Sequence, residues 1–87
     1  MRPNTLAEAV QRIEGGMPQD VALAEFVDTF DLAPTIDTKY ATIAREPQLT
    51  RDPKLNALVG AMAEYLAKNR RLGRVPHWTG GPARRLA

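Results

Sequence analysis

Backbone breaks constrain this chain more than any side-chain motif does. Gly15-Gly16, Pro34, Pro47, Asp52-Pro53, Gly73 and Gly80-Gly81-Pro82 divide it into short stretches. Within the first four stretches apolar residues return every three or four positions, the spacing of one helix face. No segment alternates apolar and polar residues as a half-buried strand does. The chain is therefore expected to be all-α: a small bundle of about four helices followed by an extended basic C-terminal tail.

The first helix should begin at Thr5. Thr5-Leu6-Ala7-Glu8 has the form of a capping box, in which the hydroxyl takes one orphan amide and the carboxylate reaches back to another. Leu6, Val10, Ile13 and Met17 form its stripe, and Gly15-Gly16 supplies the left-handed stop. Pro18 suits the first turn of a second helix, where a missing N–H costs nothing. Leu23, Phe26, Val27 and Phe30 make its apolar face, with Val21 and Ala24 beside it, and it should stop near Leu32. A shorter third helix is expected from Thr35 to about Arg45, with Ile36, Tyr40, Ile43 and Ala44 on its apolar side. In the loop that follows, Leu49 is the residue expected to be buried.

Asp52-Pro53 gives the strongest helix start in the chain, an acidic N-cap followed by proline at the first position. Leu55, Leu58, Val59, Met62, Tyr65 and Leu66 carry the main stripe. Opposite them Ala57, Gly60, Ala61, Ala63 and Ala67 are small and uncharged. A helix that is apolar or small nearly all round is normally buried nearly all round. Either it is the centre of its own domain, or its small-residue side receives another chain.

Charge is set out in blocks. Residues 1–67 hold six basic and ten acidic side chains, a balance of −4, whereas 68–87 hold six basic and none acidic, a balance of +6. Such polarity steers encounter with a partner of opposite sign. Gly73 is expected to break the fourth helix, and Val75 must be extended before Pro76. A short helical turn is expected near Ala83 to Leu86. The domain reading is a helical domain over 1–72 and a binding tail over 73–87.

The totals narrow the function. A chain of 87 residues makes one small domain, and a domain that short buries only about 60% of its unfolded surface. It has no Cys, no Ser and one His. Disulfides, Cys-based metal sites and Ser or Cys nucleophiles are excluded. Oligomerisation or a protein partner is the expected supplement to stability. No stretch is apolar enough to span a bilayer, and no apolar leader stands at the N-terminus, so a cytoplasmic protein is expected. The glycine pairs follow no strand and match no phosphate loop. His77 stands alone beside Trp78 and reads as a packing or hydrogen-bonding residue. No catalytic residue, metal set or cofactor is assigned, and the chain is not expected to be an enzyme.

The tail carries the candidate partner-binding residues: Arg70, Arg71, Arg74, Val75, Pro76, His77, Trp78, Arg84 and Arg85. Arg and Trp are the residue types most often found as interface anchors. Val75, Pro76, Trp78 and Leu86 add apolar anchors that a pure phosphate binder does not need. Three readings stay open: a protein interface, Trp78 folded back on the chain's own helices, and nucleic-acid binding by arginines with Trp78 stacked on a base. The fourth helix offers few exposed polar side chains for reading base edges.

The order of motifs resembles a known family. Leu6-Ala7-Glu8-Ala9-Val10, a Gly-Gly-x-Pro break and Asp20-Val21-Ala22-Leu23-Ala24-Glu25-Phe26-Val27-Asp28-Thr29-Phe30 resemble the start of small bacterial proteins encoded beside nucleotidyltransferase-like toxins. In that family a D-P-x-L-x-A-L helix and a closing P-x-W segment recur. Here they are Asp52-Pro53-Lys54-Leu55-Asn56-Ala57-Leu58, leading to Ala63-Glu64-Tyr65-Leu66-Ala67, and Pro76-His77-Trp78. The resemblance implies the antitoxin half of a type II toxin–antitoxin pair. Its partner would be a cognate nucleotidyltransferase-like toxin, neutralised by direct binding. The Arg-rich ending departs from the family's pattern. A small nucleic-acid-binding regulator is the alternative.

Overall fold

Thr5 does open the first helix. In the computed structural model, which describes residues 2–85, its hydroxyl accepts the Glu8 amide at 3.0 Å and α1 runs Leu6–Glu14. The Glu8 carboxylate accepts from Arg12 at 2.8 Å, one turn on. Gly16 adopts φ 112°, and the Met17 and Gly16 amides close back on the Arg12 and Ile13 carbonyls. That is the six-to-one and five-to-two pair of a Schellman stop. α2 (Gln19–Leu32) starts just after Pro18, which stands at the N-cap. α3 (Ile36–Ala44) is opened by a full capping box between Thr35 and Thr38.

The chain divides into two compact units, Met1–Gln48 and Leu49–Ala87. In the first, α1, α2 and α3 pack on one another. Leu6, Val10, Phe26, Phe30 and Ile43 are sealed from solvent, with the two phenylalanine rings tilted 48° at 6.5 Å. Lys39 of α3 closes the end of α2. Its ammonium donates to the Phe30 and Asp31 carbonyls at 3.0 and 3.1 Å and sits 5.3 Å from the Phe30 ring centre. A cation there answers both the orphan carbonyls and the negative end of the helix dipole.

In the second unit Asp52 caps α4 (Pro53–Asn69) through the Lys54 amide at 2.9 Å. Two single 3₁₀ turns, His77–Gly80 and Pro82–Arg84, return onto α4. The contacts group 73–85 with α4. The helical turn expected near Ala83 to Leu86 is the one at Pro82–Arg84; Leu86 lies outside the described residues. The described residues are helical, with no strand among them.

Several side chains face differently from the sequence expectation. Ile36 and Ala44 are exposed, and α3 buries Thr42 with Ile43. Val21 and Ala24 stay in solvent. Pro47, not Leu49, is the buried residue of the loop before α4. Leu58 and Tyr65, assigned to the inner stripe of α4, lie outside at 42% and 64% exposure. No helix among the described residues is long and apolar enough to cross a membrane.

Candidate functional site

The small side of α4 is where the tail docks. Gly60 lies in the helix interior, where glycine is unfavourable by about 1 kcal/mol relative to alanine. Its reason is contact: a Cβ there would stand 2.8 Å from the Arg84 Cβ and 3.3 Å from its Cγ. The tail comes in against bare backbone. Arg84 is 4% exposed, its Nη1 points at the Asn56 carbonyl at 3.5 Å, and its guanidinium lies 5.0 Å from the Trp78 ring centre. A guanidinium over an indole face is a favourable cation–π pair.

Asn56 fixes the entry to the same helix. Its side-chain oxygen accepts the Thr50 amide and hydroxyl, both at 2.9 Å, and its side-chain nitrogen donates to the Thr50 carbonyl at 3.0 Å. At the far end α4 stops earlier than Gly73. Arg71 takes φ 54°, the Leu72 amide closes on the Ala67 carbonyl at 3.0 Å, and the Arg71 amide closes on Lys68 at 3.2 Å. This is a second Schellman stop, with arginine in the left-handed position glycine normally fills. Leu72 tucks in behind it, buried together with Leu66 and Ala67. Gly73 follows at φ 86° and turns the chain again. Arg71→Gly should therefore raise stability by about 0.5–1 kcal/mol, the left-handed cost relieved less glycine's own entropy. A thermal melt measures it; a lower melting temperature would contradict the strain.

The nine candidate residues separate on this frame. Arg70, Arg71, Arg74, His77 and Arg85 are exposed. Val75 and Trp78 are half-buried, so Trp78 is neither sealed nor fully in water. Pro76 and Arg84 are buried. Arg84 is consumed by the contact with Gly60, Asn56 and Trp78. Pro76 is the hinge of the first 3₁₀ turn, its carbonyl accepting the Thr79 amide and hydroxyl. On α4's small side Gly60, Ala63 and Ala67 are buried, whereas Ala61 is exposed. Gly60 and Asn56 are the organising residues that the sequence reading did not single out. The only signal for Gly60 was a glycine in the middle of a strong helix.

Among the described residues no three His, Cys, Asp or Glu side chains come together as metal ligands. An open hollow of about 350 Å³ lies in the first unit, lined by residues that include Arg2, Asn4, Thr29 and Thr42. His77 does not line it. The exposed cations and the half-open indole follow one another along a short, ordered segment. No family model, curated protein or solved structure matches this chain.

Proposed function

We propose that this protein is an antitoxin-like binding protein that neutralises a nucleotidyltransferase-like toxin by occluding its active site. One observation carries the reading. The tail is held on α4 before any partner arrives, so Arg70, Arg71, Arg74, Arg85 and the open side of Trp78 are presented from a pre-ordered segment. Pre-ordering reduces the entropy lost on binding. Arg71 stays arginine at a position that favours glycine, which fits a requirement for charge at that point.

The mechanism rests on charge and access. A nucleotidyltransferase binds metal ions and nucleotide phosphates, so its cleft carries carboxylates. Exposed guanidinium groups meet carboxylates through paired, charge-assisted hydrogen bonds. Trp78 adds an aromatic anchor, the residue type that most often dominates such contacts. Inhibition needs no reaction by this chain.

Trp78→Ala should weaken toxin binding by about 2 kcal/mol, roughly 30-fold in Kd. Co-expressed with such a toxin, the variant should then fail to restore growth, although α4 stays helical by circular dichroism. Undiminished rescue by this variant would remove the antitoxin reading. The alternative, a nucleic-acid-binding regulator, rests on the same exposed arginines. It requires that affinity fall steeply and linearly in log–log form as salt rises. An anchored protein contact should fall less.

A further inference from the structure

We propose that Arg84 is the positioning residue of the partner-binding segment: its buried guanidinium, and not its stem alone, holds the Trp78 indole in the orientation a partner meets. Its bearing on binding rests on the antitoxin-like reading; its geometry lies within α4 and the two 3₁₀ turns. Trp78 has little to hold it within its own turn. His77–Gly80 is a single turn with no buried residue, closed by the Thr79 amide and hydroxyl on the Pro76 carbonyl. Gly81 follows directly, and the indole is only half-buried. Side-chain torsions have several staggered wells, so a ring placed like this needs a neighbour to select one.

Arg84 is that neighbour, and it is itself held from other sides. Its Cβ, Cγ and Cδ would stand 2.8, 3.3 and 3.5 Å from a Cβ at position 60, so the stem lies along bare backbone of α4. Its Nη1 points at the Asn56 carbonyl at 3.5 Å, and the Asn56 side chain is locked by three hydrogen bonds to Thr50. The guanidinium thus meets the indole from a rigid stretch of α4, its Cζ 5.0 Å from the ring centre. Arginine is a poor choice if the groove needed only filling. A charge taken out of water carries a desolvation cost that an unbranched apolar side chain such as methionine does not. What arginine adds is a planar cation against a π face, an attraction with a preferred geometry. That attraction is made at Trp78. An anchor ring already oriented loses less rotamer freedom when a partner closes on it.

Arg84→Met and Arg84→Lys in the full chain test this. Methionine keeps an unbranched stem and removes the charge; lysine keeps the charge. Trp78 is the only tryptophan, so its emission reports on one ring. Arg84→Met should keep its helical circular dichroism and melt no lower than the wild type. Its Trp78 fluorescence anisotropy should fall, iodide quenching should rise, and toxin affinity should drop about tenfold. Arg84→Lys should recover part of both the anisotropy and the affinity. Anisotropy and quenching unchanged in Arg84→Met overturn the proposal, and so does a Trp78 loosened equally in both variants. A melting temperature that falls in step with the loss of order makes Arg84 a prop of the fold and overturns it as well. If Arg84→Met loosens Trp78 and leaves toxin affinity intact while Trp78→Ala weakens it, the proposal fails and the antitoxin reading stands. If toxin affinity is indifferent to both Arg84→Met and Trp78→Ala, the antitoxin reading fails, and the order of Trp78 in the two Arg84 variants decides the proposal by itself.

Discussion

Gly60→Leu is expected to lift the C-terminal turns off α4 while α4 itself stays helical. Two effects oppose each other. Leucine favours a helix interior over glycine by about 1 kcal/mol. Against that, the first added carbon would already sit 2.8 Å from the Arg84 Cβ, a stem atom that cannot swing aside as a side-chain tip can. Overpacking typically costs about 1–3 kcal/mol, and displacing Arg84 forfeits its buried stem and its place over Trp78 as well. The clash wins, and it falls on the docking of the tail. Trp78 is the only tryptophan, so its fluorescence reports the change directly. Emission should shift to the red, with greater quenching by iodide, at nearly constant helical ellipticity. On an Arg84→Gly background the same substitution should do little, since the atoms it strikes are gone. An unaltered Trp78 spectrum in Gly60→Leu would show that the tail is not held there.

Phe26→Ala should destabilise the first unit by about 3–5 kcal/mol. Phe26 is fully buried, with Phe30 tilted against it at 6.5 Å. A chain of this size has only about 4–13 kcal/mol of stability in total. The variant should therefore lose most of its folded population in mild urea. Phe26→Leu, which keeps much of the volume, should lose less than half as much. Urea melts followed at 222 nm separate the two. If alanine were tolerated as well as leucine, the ring would not be part of a packed core.

The local signals in the sequence were sound where the chemistry is local. Thr5 and Asp52-Pro53 open helices and Gly15-Gly16 closes one, because a cap is settled within a few residues of itself. Facing was harder to read. α2 and α4 each carry apolar residues on two sides, and periodicity cannot say which side turns in. On α4 the decision falls to Arg84, a residue 28 positions from Asn56, whose carbonyl it approaches. Beside that contact Gly60, Ala63 and Ala67 lie inward, while Leu58, Ala61 and Tyr65 lie out. Arg84 was legible as charge and illegible as filling. Its long stem suits an apolar channel as well as its head suits an anion. Arg71 was hidden by its type, since a left-handed stop is expected of glycine.

Asn56 carries a consequence for how this chain can vary. Its amide imitates a peptide group, offering Thr50 an acceptor and a donor at once. Aspartate has no donor when ionised, leucine has neither group, and glutamine sets the same pair one carbon further out. Leu58 and Tyr65, by contrast, meet no such demand from the folded monomer. Drift among related sequences should then run against ordinary intuition: the polar asparagine immobile, the large hydrophobic neighbours free to change unless something outside the chain restrains them.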